Sequence, residues 1–328
     1  MNHNRFTTTR RLGLLRLAVA LLLLLTVMPE VTFAADLTVC TAGPPECQYT
    51  SIQEAVDAAN TGDVIKVAAG TYTGVHKRDR SRQVLYIDKT VTIRGGYTAP
   101  DYADPPDPDA NPTTLDAQGR GRVIYISRNI EPTVEGLRIT GGRVAGAGLA
   151  GGGGVYVDRA GATLSGNRVF ANSAVFGGGL YLKGSNAILR DNAIFGNLAS
   201  TNGGGVLLDN HSAAMLRDNG IYGNVAASGG GLDLWQSPAT LSGNTISGNT
   251  ANESGGGVQL RESEATLRGN TIWGNTANDG GGLLVWQSPA MLTANFIAGN
   301  TATNNGGGLQ LTESPASLTE NTIISNTA

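Results

Sequence analysis

A run of three glycines followed by an aliphatic residue comes back seven times in this chain, and no other feature restricts its fold as tightly. The third glycine falls at Gly154, Gly179, Gly205, Gly231, Gly257, Gly282 and Gly308, in steps of 25, 26, 26, 26, 25 and 26 residues. So steady a period marks one structural unit stacked on copies of itself. Other positions keep the same step: an alanine from Ala162 to Ala316, a leucine from Leu164 to Leu318, and an asparagine from Asn167 to Asn321. An aliphatic residue follows from Val169 to Ile323, then a second asparagine from Asn172 to Asn326 and an alanine from Ala174 to Ala328. Apolar residues at period two point one way from a strand. The spacing predicts three short strands per coil: aliphatic-x-aliphatic after the triplet, Ala-x-Leu, and the strand carrying the isoleucine. With like stacked on like at about 4.8 Å, seven coils make a rod roughly 34 Å long. Asparagine tolerates the left-handed conformation of tight turns and can hydrogen-bond along a stack, so both asparagine columns are expected at corners. The glycines are expected at a third corner, where a Cβ would clash.

Composition closes off several alternatives. The 47 glycines lack the every-third spacing of collagen. A net charge of −3, with 15% charged residues and no basic stripe beyond the first sixteen residues, speaks against a nucleic-acid partner. Arg5, Arg10, Arg11 and Arg16 precede an apolar run from Leu17 to Met28, and Thr32-Phe33-Ala34 offers small residues where a signal peptidase reads. Residues 1–34 therefore read as a secretory signal peptide. The run is shorter than the ~20 residues that span a bilayer, and the mature chain is expected to carry no transmembrane span and to be secreted or held at the cell surface. Cys40 and Cys47 are the only cysteines, and in an exported chain this close pair is expected to form a disulfide.

Residues 35–62 read as an N-terminal cap. Ser51 and Glu54 form a capping box, Ile52, Ala55, Val56 and Ala59 share a helical face, and Gly62 is expected to end the helix. Such a helix covers strand edges that would otherwise recruit other chains. The stretch from Tyr49 to Tyr72, with Ile52-Gln53, Gly62-Asp63 and Gly70-Thr71-Tyr72, resembles the N-terminus of right-handed parallel β-helix proteins. That resemblance, to the pectate-lyase-like superfamily, continues through Val91–Tyr97 and the triplets. It implies an all-β right-handed parallel β-helix over residues 63–328, with regular coils at 151–328. The Ile-x-x-Asn element beside each triplet is also partly similar to the repeats of polymorphic outer-membrane proteins.

Between Thr98 and Thr113 an acidic, proline-rich stretch carries Asp101, Asp104, Asp107 and Asp109 and reads as a loop thrown out between coils. Oxygen-rich loops can bind calcium, although this spacing matches no fixed calcium loop, and no other cofactor is implied.

Function must come from side chains that face solvent. The fourth residue after each triplet gives the column Asp158, Lys183, Asp209, Trp235, Arg261, Trp286, Thr312. It predicts an acid–base–acid ladder followed by an arginine between two tryptophans. The second residue gives Tyr156, Tyr181, Leu207, Asp233, Gln259, Leu284 and Gln310, also expected to face outward. Exposed tryptophans and tyrosines on a strand face suit sugar rings, so Tyr156, Tyr181, Trp235, Arg261 and Trp286 are the candidate ligand-binding residues. Mutual satisfaction of neighbouring coils explains the same columns without a ligand. A lyase or hydrolase of this superfamily would draw on Asp158, Lys183, Asp209 and Asp233. None of the paired-acid or Arg/Lys signatures of the pectin-active families is present, and Lys183 between Asp158 and Asp209 would neutralise both.

The sequence thus reads as a non-catalytic, exported interaction module of the adhesin kind, its partner a carbohydrate or cell-surface polymer. The alternatives are a polysaccharide lyase or glycoside hydrolase, and a structural spacer or passenger domain. Because Ala328 directly follows strand signals, a longer gene product or pairing with another chain is also expected.

Overall fold

The computed structural model describes residues 34–146 and 150–328. The leader expected over residues 1–34 lies, but for its last residue, outside the described residues. The rest is a β solenoid with a single short helix among the described residues. Its strands form four parallel sheets of 10, 11, 10 and 7 strands, broken only by one antiparallel hairpin pairing His76–Arg78 with Ser81–Ile87. One coil shows the plan. Val155–Asp158 belongs to sheet 1, Thr163–Ser165 to sheet 2, Arg168–Phe170 to sheet 3 and Ser173–Phe176 to sheet 4. The glycine triplet then leads back to sheet 1.

Sheets 1 to 3 are the three strands expected. Sheet 4 is a fourth, so the expectation of three strands per coil is one short. It places only one side chain per coil in the interior, the alanine column from Ala174 to Ala302, and so leaves no period-two signal. Its register also shifts between coils, because coils differ by one residue in length here, while the coil after Gly205 takes its extra residue at Asn210-His211 in the turn between sheets 1 and 2.

The core is a set of aliphatic columns. Val155, Leu180, Val206, Leu232, Val258 and Leu283 stack in sheet 1, and Leu189, Leu216, Leu241 and Leu267 in sheet 2, all at most 1% exposed. At about 25 cal/mol per Å² of apolar surface, each buried aliphatic side chain contributes some 1.5–3 kcal/mol, so stability accumulates coil by coil.

The asparagine columns are buried ladders. The Asn192 side-chain amide donates to Asn219 Oδ1 at 3.0 Å and to the Leu164 carbonyl at 2.9 Å, and its backbone N–H donates to the same Asn219 oxygen at 3.1 Å. The second column repeats this from Asn172 to Asn326. The asparagines themselves are not the left-handed residues. That conformation falls on the residue just before each, such as Gly166, Asp191 and Gly223, because the asparagine must face inward to reach its neighbour. A third ladder was not foreseen: the amides of Ser185, Ser237, Ser263 and Ser288 donate to the serine hydroxyl of the next coil.

At the N-terminus, Ser51 caps the helix Ile52–Ala58 by accepting from the Glu54 amide at 3.4 Å. The helix ends at Ala59, whose extended backbone stops it before Gly62 is reached. Cys40 and Cys47 are bonded, with Cα atoms 5.8 Å apart. The proline-rich segment is not a free loop. Lys66 holds Asp104 at 2.7 Å, Arg168 holds Asp109 at 2.8 Å, and the Tyr97 hydroxyl donates to Asp104 at 2.7 Å. Asp107 accepts from the amides of Asp109 and Ala110 within its own turn. The candidate calcium ligands Asp101, Asp104, Asp107 and Asp109 therefore do not converge. Among the described residues no three His, Cys, Asp or Glu side chains are grouped to hold a metal.

Candidate functional site

The outward column on sheet 1 has the expected register: Asp158 pairs with Lys183, Lys183 with Asp209, Trp235 with Arg261 and Arg261 with Trp286. The column at the second residue is different. Tyr156, Leu207, Asp233 and Gln259 are between 0% and 5% exposed, against the expectation of a solvent-facing row. The first glycine of each triplet causes this. It curls over that residue with a positive φ, and a Cβ on Gly229 would lie 2.5 Å from the Asp233 Cβ.

Above this point the column is a tyrosine stack. Tyr86, Tyr125, Tyr156 and Tyr181 follow one another with ring centroids 5.1–5.4 Å apart. Tyr86 and Tyr125 lie before the first regular triplet and were not picked out from the repeat. The buried guanidinium of Arg122 sits 5.2 and 5.0 Å from the rings of Tyr125 and Tyr156, and burial lowers its pKa to about 10. Tyr181 is the last ring of the stack and only half-buried.

A cleft of about 280 Å³ opens where the tyrosines end. Tyr156, Tyr181, Lys183, Asp209, Trp235 and Arg261 line it from sheet 1, and Phe176 and Asn202 from the ends of sheet 4 strands. Ala150 and Gly151 close one side. Gly151 is needed there, since a Cβ would fall 2.0 Å from the Tyr181 ring. The Tyr181 hydroxyl donates to Asp209 Oδ2 at 2.7 Å, and burial first, then this bond, pushes the Tyr181 pKa well up. Lys183 stands between Asp158 and Asp209 in the column, yet forms no ion pair within 4.0 Å among the described residues. The expected acid–base–acid ladder is therefore not made. Asp158 turns to Arg159 at 3.2 Å, and Asp209 to Tyr181.

On the opposite wall the fully buried Asp233 carboxylate receives Arg261 at 2.8 Å and the Asn202 amide at 2.7 Å. Burial raises its pKa even against the pull of Arg261. This carboxylate fixes the Arg261 guanidinium 5.1 Å from the Trp235 ring, a cation–π contact worth about 0.5–2 kcal/mol. The expected sandwich is one-sided: the cation–π contact found is with Trp235, and Trp286 does not line the cleft. The structure thus brings together Tyr156, Tyr181, Lys183, Asp209, Trp235 and Arg261. Asp158 and Trp286 stay outside, and Asp233 lies behind the wall.

Chemically the cleft offers two partly exposed aromatic rings, Phe176 and Trp235, and a polar group of two cations, Lys183 and Arg261, one lining anion, Asp209, and the Tyr181 phenol. Of the four acids and bases considered as catalytic, only Lys183 and Asp209 reach it. Hydrolysis by paired carboxylates is therefore not assembled here.

Residues 117–251 match the family model described as the right handed beta helix region. Residues 222–328 match the model of the periplasmic copper-binding protein NosD. Copper favours imidazole, thiolate and thioether donors. The NosD-matched stretch has no histidine or cysteine and one methionine, Met291, so its residues do not fit a copper site. No curated protein sequence matches the chain. Among solved structures, pectate lyase Pel9A is similar at 12% identity and a TM-score of 0.53, covering 87% of this chain and 79% of that one. An alginate lyase from Paenibacillus sp. strain FPU-7 aligns at 14% identity and a TM-score of 0.48, covering 86% of this chain and 99% of that one. The stacked parallel sheets, the inward aliphatic and asparagine columns and the family match at residues 117–251 lead to one conclusion: the chain is a right-handed parallel β-helix repeat protein.

Proposed function

We propose that this protein is an exported β-helix that binds a neutral saccharide in the sheet 1 cleft and does not transform it. One observation carries the reading: the cleft joins partly exposed aromatic rings to a polar set whose charges cancel. Lys183 stands against Asp209, and Arg261 against the Asp233 behind it. Aromatic faces suit the apolar face of a sugar ring, and Tyr181, Lys183, Asp209 and Asn202 offer donors and acceptors for hydroxyls. An acidic polymer would call for a net positive cleft. A volume of about 280 Å³ is at the small end for ligand sites and suits one or two rings. Export is supported by the leader-like residues before Ala35 and the close disulfide. Among the described residues no helix is long and apolar enough to cross a membrane.

The second reading, a polysaccharide lyase, is favoured by one feature, Lys183 without an ion pair beside Asp209. An oligosaccharide array together with a lyase assay on polygalacturonate and alginate, with and without calcium, separates the two. The binding reading expects retention of neutral oligosaccharides, at least tenfold weaker for Trp235→Ala with its melting temperature kept. Unsaturated product formed by wild type and lost in Lys183→Ala would establish the lyase instead.

A further inference from the structure

A second groove runs along the turn between sheets 2 and 3, beneath the proline-rich loop. Its two hollows, of about 600 and 360 Å³, meet at Pro108, Gly136 and Gly166. The floor is bare backbone because those turn positions are glycine. In the next coil the equivalent left-handed position is Asp191, which closes the smaller hollow.

Arg138 and Arg168 are partners in register on neighbouring strands, and both line the smaller hollow. Like charges directly opposite each other in a sheet repel. Arg168 is compensated by Asp109 at 2.8 Å, and Asp191 is taken by its neighbour Arg190 at 3.5 Å. In the larger hollow Arg94 is bound by Glu135, and Asp104 by Lys66. Arg138 alone is left over: it has no ion pair among the described residues, and its Nε is buried without a hydrogen-bond partner. An arginine fork in that condition lacks an acceptor with more than one oxygen.

We propose that this groove binds a tetrahedral oxyanion, a sulfate or phosphate group, with Arg138 as its main ligand and Arg168 shared between it and Asp109. A tetrahedral group has oxygens enough to bridge two guanidinium forks, whereas Asp109 already supplies a carboxylate to one of them. The net charge of −3 gives no general attraction for anions, so binding would come from this local pair. The proposal does not rest on the saccharide reading, since the groove lies on other sheets than the cleft.

The test is calorimetric titration at low ionic strength with sodium sulfate and with dextran sulfate, with sodium chloride as control. Wild type is expected to bind sulfate saturably, Arg138→Gln at least tenfold more weakly, and Asp109→Asn more tightly because Arg168 is freed. Arg138→Lys controls for folding and keeps part of the affinity, and Trp235→Ala leaves it unchanged. Tighter binding per sulfate to the polymer identifies an ester on a chain as the natural source, and equal binding identifies the free ion. No saturable binding to either probe, or Arg138→Gln within twofold of wild type, overturns the proposal.

Discussion

At Gly257 an added Cβ would lie 2.5 Å from the carbonyl oxygen of Gly282 in the next coil, whereas at Gly269, with φ +62°, it would meet nothing within 4 Å. The two glycines look alike in sequence and serve different ends. Gly257 lets two coils approach, and Gly269 only supplies a left-handed turn. Gly269→Ala is therefore expected to cost about 1–2 kcal/mol, the penalty of a side chain in that conformation. Gly257→Ala should cost more than about 4 kcal/mol, since the obstacle is backbone that cannot rotate away. Urea unfolding of the two variants reads the difference, and equal losses would contradict it. Asn224 shows the same logic for a polar group. It accepts from Asn197 and donates to Asn249 and the Ile194 carbonyl, all buried. Asn224→Ala leaves at least two of these groups unpaired, at about 1–3 kcal/mol each. Asn224→Ala melting within a degree of wild type would show that the ladder is ornamental.

The loop over residues 98–112 is the element whose role changed most between sequence and structure. Its aspartates suggest calcium, but its geometry shows anchoring. The Lys66 ammonium first, then the Tyr97 hydroxyl, holds the Asp104 carboxyl below its ordinary 3.8. A carboxylate with a depressed pKa contributes stability that is present above its unfolded value and lost as pH falls through its folded one. Amide exchange in the loop is therefore expected to speed up as pH drops below about 4, relative to core amides, with Asp104→Asn already fast at pH 6. Sheets 1 and 2 were legible because each puts two period-two apolar residues inside, and sheet 3 because its one inward residue is a recurring bulky valine or isoleucine. Sheet 4 was not, because one inward alanine carries no period. The serine ladder was visible in principle: a serine stands two residues before the repeated alanine from Ser185 to Ser314. In the cleft, Tyr181, Lys183, Asp209 and Trp235 could be read from the columns. Phe176, Asn202 and Gly151 could not, because they come from strand ends and from the irregular stretch before the first regular triplet.

At the scale of the whole solenoid, the described coils form a near-regular stack whose side-chain columns change character once. Above Tyr181 the inner column of sheet 1 is a tyrosine stack; after it the column runs Leu207, Asp233, Gln259, Leu284 and Gln310. The cleft sits at that change, lined by Tyr181 from the stack and by Trp235 and Arg261 beyond it. Of the three acids considered as catalytic, only Asp209 lines the cleft. The most direct measurement follows Trp235 fluorescence in a Trp273→Phe, Trp286→Phe background during titration with neutral and with uronic-acid oligosaccharides. The account predicts a saturable change with a neutral saccharide, weakened at least tenfold by Asp209→Ala, and little response to the acidic series. A response to the acidic series alone, or to neither, would contradict it.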